Sequence, residues 1–197
     1  MAPLPARSAL PAPDPDAAAH SARVAARIRD EIARAGGWIP FARYMELALY
    51  APGLGYYAAG ATKFGVAGDF TTAPELSALF GRTLARQVAQ ILNGTGGEVL
   101  EVGAGSGKLA CDVLLELQRM GVLPARYAIL ELSATLQARQ REQIAAQAPQ
   151  LLERVQWLDC LPQSLSGVAL GNEVLDAMPV HRVRLTSSGV TEQYVTW

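Results

Sequence analysis

Apolar residues recur at two spacings along this chain, and the change from one to the other divides it. Val24, Ile28 and Ile32 stand four residues apart, which predicts a helix over about 21–35, stopped by Gly36-Gly37. A second helix is expected after Pro40, with Phe41, Tyr44, Met45, Ala48 and Leu49 on its apolar face and an end at Pro52-Gly53. Thr72-Ala73-Pro74-Glu75 then reads as a capping box, with Thr72 as N-cap, Glu75 three positions on and Pro74 in the first turn. That helix is expected to run through Leu76, Phe80, Leu84, Val88 and Ile91 to the break at 93–97. From Glu98 onward short apolar runs alternate with helical stretches: strand 98–102, helix 107–120, strand 127–131, helix 134–148, then strands 154–158 and 167–170. Segments 180–185 and 190–197 around Ser187-Ser188-Gly189 predict a β-hairpin.

The alternation predicts an α/β fold with a doubly wound, mostly parallel sheet. It divides the chain into a disordered lead-in (1–20), a helical cap with a glycine- and aromatic-rich loop (21–92) and the sheet domain (93–197). Four parallel strands and a hairpin are fewer than a full sheet of this class holds, so the chain is expected to be an N-terminal portion of a longer protein.

Composition narrows the function. The 197 residues are 50% hydrophobic and 18% charged, with a formal net charge of -1. That supports a globular core and gives no global attraction to nucleic acid. Cys111 and Cys160 lack partners at metal-ligand spacing and His20 and His181 are isolated, so neither a disulfide nor a metal site is expected. A reducing, cytoplasmic location follows as the expectation. No apolar run reaches the length of a membrane span. The first 19 residues, rich in Ala and Pro and carrying Asp14 and Asp16, do not read as a signal or transit peptide.

The sharpest chemical signal is Glu101-Val102-Gly103-Ala104-Gly105-Ser106-Gly107, a strand end followed by a glycine turn and a helix start. Glycines there permit unusual backbone angles and remove Cβ atoms from the path of a ligand. The dinucleotide fingerprint G-x-G-x-x-G fails because the third glycine arrives one residue early and Lys108 stands in its place. The P-loop pattern fails at both ends, with Val102 at its first glycine and Leu109 at its Ser/Thr. E-x-G-x-G-x-G fits without a gap. An acid at Glu101 would repel a phosphate but suits a ligand bearing a cationic amino group, which points to S-adenosylmethionine. A ligand-free glycine turn is the plain alternative.

Ligands of open parallel sheets bind outside the carboxyl ends of the strands. Glu131 ends the second strand, where a carboxylate could accept ribose hydroxyls or simply be solvated. Asp159 ends the third, where it could reach the adenine amine or serve as a loop or capping residue. Asn172-Glu173-Val174-Leu175-Asp176-Ala177-Met178-Pro179 follows the fourth and could hold a polar acceptor, or Asn172 and Asp176 could cap a short helix. Gly65-Val66-Ala67-Gly68-Asp69-Phe70-Thr71-Thr72 reads as a backbone approaching a ligand, a hinged lid or a plain surface loop.

Gly68-Asp69-Phe70-Thr71-Thr72-Ala73-Pro74-Glu75, the Glu101–Gly107 motif and the 172–179 motif occur in the order and spacing of the MidA-like methyltransferases. Tyr44-Met45 and Pro52-Gly53-Leu54-Gly55-Tyr56-Tyr57 also resemble that family's N-terminal signature, and the similarity spans about 37–197. The resemblance implies a Rossmann-like class I methyltransferase using S-adenosyl-L-methionine. By matching position, Glu101, Gly103, Gly105 and Gly107 would hold the cofactor's methionine part and Glu131 its ribose; Asp159, Gly68 and Asn172 are further candidate cofactor contacts from their places along the chain. Mitochondrial relatives assist respiratory complex I assembly by methylating an arginine of a subunit, which implies a protein partner here. An arginine acceptor is charged at neutral pH, its pKa being above ~12. Carboxylates are then needed to grip it, and Glu173, Asp176 and Asp69 are the candidate catalytic residues. Many amine methyltransferases carry Asn/Asp-Pro-Pro-Tyr/Phe after the fourth strand; here Asn172 is followed by Glu173-Val174-Leu175, so their acceptor geometry does not transfer. A non-catalytic assembly factor retaining the cofactor site, and a small-molecule methyltransferase, are the competing readings.

Overall fold

The computed structural model describes residues 12–59 and 72–197. The described residues form two units, one from 12–59 with 179–197 and one from 72–178. The observed grouping differs from the expected one: the hairpin goes with the first two helices, and the helix before Glu98 goes with the parallel sheet.

In the first unit, α1 (Pro15–Arg34) is followed by the short strand β1 (Ile39–Pro40) and α2 (Phe41–Tyr50). The helix begins at Pro15, six residues before the expected start and inside the expected lead-in. Asp14 caps it, its carboxylate accepting the Ala17 N–H at 2.8 Å, and Pro15 at the first helical position loses no hydrogen bond. Ile28, Ile32, Ile39 and Leu47 form the core of this unit. Arg27 and Arg43 both hold Glu31 and keep its carboxyl below the usual range, Arg43 most strongly. β6 (Arg182–Thr186) and β7 (Gly189–Val195) form the predicted hairpin, and β1 pairs antiparallel with β7 to make three strands.

The second unit opens with α3 (Ala73–Leu76) and α4 (Ala78–Thr95). The single helix expected from Thr72 is thus split at Ser77, whose extended backbone and side chain start α4 by accepting the Leu79 N–H. Thr72 makes no side-chain cap, and the Glu75 carboxylate accepts a hydrogen bond from the Ser106 hydroxyl instead of reaching back to residue 72. The capping box is therefore not formed.

β2 (Glu98–Val102), α5 (Lys108–Arg119), β3 (Tyr127–Leu130), α6 (Ala134–Gln147), β4 (Val155–Leu158) and β5 (Gly167–Gly171) follow, with a short 3₁₀ turn at Pro149–Arg154. The four strands are parallel in the order β4-β3-β2-β5, each within about one residue of its predicted bounds. The chain moves outward from β2 through β3 to β4, then returns to the other side of β2 for β5. This reversal leaves a crevice beyond the carboxyl ends of β2 and β5.

Register puts Val99, Tyr127, Val155 and Val168 in one row on one face of the sheet, and Glu101, Ile129, Trp157 and Leu170 in the next row of that face. The apolar residues of α4, α5 and α6 cluster against this face, with Leu114, Leu117 and Ile144 fully buried. Each such side chain contributes about 1.5–3 kcal/mol by leaving water. α4 and α5 approach closely because Gly81 has no side chain: a Cβ there would lie 2.5 Å from Asp112 Cβ.

Candidate active site

The four sequence-predicted strand ends converge on one edge of the sheet. Beyond β2 the glycine turn is fully left-handed at alternate positions, with φ of 65°, 55° and 85° at Gly103, Gly105 and Gly107. Two of these glycines also relieve contacts. A Cβ on Gly103 would meet Val174 Cγ2 at 3.3 Å, and one on Gly107 would meet Gln140 Cα at 3.1 Å. Gly105 differs: nothing lies within 4 Å of its Cβ position, so its backbone faces open space where a ligand could approach.

Glu101 sits elsewhere than its place in the motif suggests. It shares the pleat face of Val99, so its side chain runs beneath the helical layer and is 2% exposed. Its carboxylate accepts the Tyr127 hydroxyl at 2.6 Å. Burial pushes its pKa up to about 7, with the tyrosine bond opposing. Cys111, buried beside Asp112 and Glu101, is pushed up to about 12, mainly by desolvation.

Glu131 lies one residue past β3 on the same face and is 8% exposed. Its Oε1 accepts the Ser133 N–H at 2.9 Å and its Oε2 accepts the Gln140 side-chain amide at 3.2 Å. Burial raises its pKa, and these hydrogen bonds oppose the rise. Gln140 reaches further, donating to the Gly105 carbonyl at 3.1 Å and accepting the Trp157 indole N–H at 2.9 Å. One α6 side chain therefore connects the ends of β2, β3 and β4.

Beyond β5 the chain takes an unfavourable path. Glu173 is the one non-glycine residue with positive φ, at 55°, among the described residues. Such a conformation costs on the order of 1–3 kcal/mol and persists where the surroundings enforce it. Its neighbour Val174 packs where side chains on Gly103 and Gly171 would stand, its Cγ2 lying 3.3 Å and 3.5 Å from their Cβ positions. A cleft of about 590 Å³ opens here, with Val102, Leu170, Val174, Leu175 and Met178 as apolar walls and Glu173 and Asp176 on its lining. Neither Asn172 nor Asp176 caps a helix: the short 3₁₀ turn Leu175–Ala177 starts from Val174 without a side-chain cap.

Asp159 is exposed past β4, and its carboxylate makes no hydrogen bond or ion pair among the described residues. Gly68 and Asp69 lie outside the described residues. The structure therefore brings Gly103–Gly107, Glu131, Asn172, Glu173 and Asp176 to one edge and turns the Glu101 carboxylate inward. Sequence reading missed Gln140, Tyr127 and Ser106 as members of this neighbourhood. Gln140 left a trace, because it occupies an apolar-stripe position between Leu136 and Ile144 on α6. Among the described residues no cluster of His, Cys, Asp and Glu could hold a metal ion, and no helix is long and apolar enough to cross a membrane.

Comparison with known proteins follows the same lines. Residues 83–197 match the model of a family described as "Putative S-adenosyl-L-methionine-dependent methyltransferase". A solved structure from Burkholderia thailandensis, bound to S-adenosyl-homocysteine, is 56% identical with a TM-score of 0.86, covering 95% of this chain and 50% of that one. A Caenorhabditis elegans relative named mitochondrial protein arginine methyltransferase NDUFAF7 homolog is 30% identical, over 82% of this chain and 43% of its own length. The Danio rerio protein arginine methyltransferase NDUFAF7 is 29% identical over 82% of this chain and 44% of its own. The chain thus spans about half the length of the relatives it matches. With the family model covering more than half of its residues, the chain belongs to this family of S-adenosyl-L-methionine-dependent methyltransferases.

Proposed function

We propose that this protein transfers a methyl group from S-adenosyl-L-methionine to an arginine side chain of a protein. The observation that carries the reading is the juxtaposition, at one sheet edge, of an open glycine turn with two acids on a mostly apolar cleft. The site's chemistry fits the cofactor. The space beside Gly105 would be filled by a Cβ, and Glu131 is a buried carboxylate without a cationic partner among the described residues, suited to accepting ribose hydroxyls. Asn172 and Asp159 stand at the neighbouring strand ends, where further cofactor contacts belong.

When bound, the cofactor supplies a methyl group on a sulfonium, already activated for displacement. The chain's contribution is then alignment, which can remove roughly 7–11 kcal/mol from such a barrier. Glu173 and Asp176 lie on the lining of one cleft, and two carboxylates there could hold a guanidinium through paired charge-assisted hydrogen bonds. The arginine acceptor and protein partner draw on the names of the NDUFAF7 relatives and on these two acids. Two free cysteines, Cys111 and Cys160, accord with a reducing compartment such as the cytoplasm, which forms part of the proposal.

Incubation of the protein with methyl-labelled cofactor and a protein lysate, followed by acid hydrolysis, tests the acceptor. Label in methylarginine is the expected result. Label confined to small metabolites, or to another amino acid, would overturn the arginine assignment.

A further inference from the structure

We propose that Gln140 is a positioning residue for cofactor recognition: it sets the orientation of the Glu131 carboxylate relative to the glycine turn. The inference rests on the reading that Glu131 receives the ribose hydroxyls. Gln140 is fully buried on α6, and each polar atom of its side chain is used. Its two amide hydrogens go to the Gly105 carbonyl at 3.1 Å and to Glu131 Oε2 at 3.2 Å, and its oxygen accepts from Trp157 Nε1 at 2.9 Å.

The third bond decides the other two. An indole N–H can only donate, so the Gln140 oxygen must face Trp157 and the amide nitrogen must face Gly105 and Glu131. The flipped amide would set donor against donor at Trp157 and acceptor against acceptor at the other two. Trp157 is itself held, with the Arg141 guanidinium 4.2 Å from its ring centroid. The turn also approaches the Gln140 backbone closely: a Cβ on Gly107 would lie 3.1 Å from Gln140 Cα.

Charge explains why an amide suits this place. Lys or Arg would form an ion pair with Glu131 and compete with any ligand for its lone pairs. A neutral donor fixes one oxygen and leaves the negative charge available to hydroxyl donors. The Ser133 N–H fixes the other oxygen, so both ends of the carboxylate are set before a ligand arrives. Binding then requires little further ordering of this group.

The test measures affinity of the full chain for S-adenosyl-homocysteine and for its 2′-deoxy and 3′-deoxy analogues by calorimetry. The readout is the ratio of affinities with and without each hydroxyl, which a merely structural residue would not move. A hydrogen bond to a charged group sets the expected wild-type ratio at roughly tenfold to a hundredfold. Glu131→Gln, which can accept the hydroxyls only as a neutral amide, should reduce the ratio to roughly a few-fold, and Gln140→Met, similar in volume, should reduce it several-fold. If Glu131→Gln leaves the ratio unchanged, the ribose reading fails and this inference with it. If Glu131→Gln lowers the ratio but Gln140→Met weakens all three ligands equally, or none, the ribose reading stands and the inference is overturned. Should Gln140→Met fail to fold, Trp157→Phe decides by the same ratio. It keeps a six-membered aromatic ring for Arg141 and removes the donor that orients the amide, so a reduced ratio supports the proposal and an unchanged one overturns it.

Discussion

Replacing Glu101 with Gln has an effect whose sign and size follow from the fold. The Glu101 side chain lies under the helical layer, and burial pushes its pKa up to about 7 from an ordinary 4.5. In the unfolded chain the carboxyl regains water and its ordinary value. The folded state therefore binds the proton more tightly, so the contribution is fully present below pH 4.5 and is lost as pH rises through about 7. At ~1.4 kcal/mol per unit of pH, that window corresponds to about 3 kcal/mol. Gln keeps the shape and can accept the Tyr127 hydroxyl, but carries no charge at any pH. The neighbours do not confuse the measurement, because burial moves both Cys111 and Tyr127 further above neutrality. Urea unfolding of both proteins at pH 5 and pH 8, compared at matched slopes, gives the difference directly. The stability of Glu101→Gln relative to wild type should rise by about 2 to 3 kcal/mol between pH 5 and pH 8. Parallel pH profiles for the two proteins would refute the reasoning, showing that Glu101 ionises as readily in the fold as out of it.

Two glycines of one turn should respond differently. Gly105→Ala and Gly107→Ala each incur roughly 1–2 kcal/mol for a left-handed alanine. Gly107→Ala also drives a methyl into Gln140 and should show the larger loss in thermal unfolding, whereas Gly105→Ala points its methyl into open space and should lose more affinity for S-adenosyl-homocysteine than stability. Equal effects of the two on ligand affinity would contradict this division. Ser106→Ala removes the hydroxyl that donates to Glu75, and urea unfolding should show a loss of about 1.5–3 kcal/mol, as for a hydrogen bond to a charged group. No change would mean that the α3 contact contributes nothing to holding the turn.

Much of the sheet was legible because its signals are local. Val99 to Val102, Tyr127 to Leu130 and Val168 to Leu170 are short apolar runs beside glycine or polar breaks, and their order alone implies a parallel α/β arrangement. What escaped depends on contacts between distant segments. Strand alternation places Glu101 with Val99, but only the pairing with β3 shows that this face lies beneath helices and that Tyr127 meets the carboxylate. Thr72 and Glu75 satisfy the spacing of a capping box, yet the Ser106 hydroxyl, 31 residues onward, offers Glu75 a competing partner. The early start of α1 was signalled by Asp14-Pro15, a capping pair hidden in an Ala- and Pro-rich stretch. Glu173 gave no warning at all: its left-handed backbone stands beside Val174, which packs on two glycines of the sheet edge.

The central claim separates a donor seat at the glycine turn from an acceptor seat at Glu173. Methyl transfer by the full chain carrying Glu173→Gln, with affinity for S-adenosyl-homocysteine measured alongside, addresses it most directly. The expected result is transfer reduced at least about tenfold, the loss of one charge-assisted contact to the acceptor, with cofactor affinity changed by less than about twofold. Full turnover in Glu173→Gln would contradict the account.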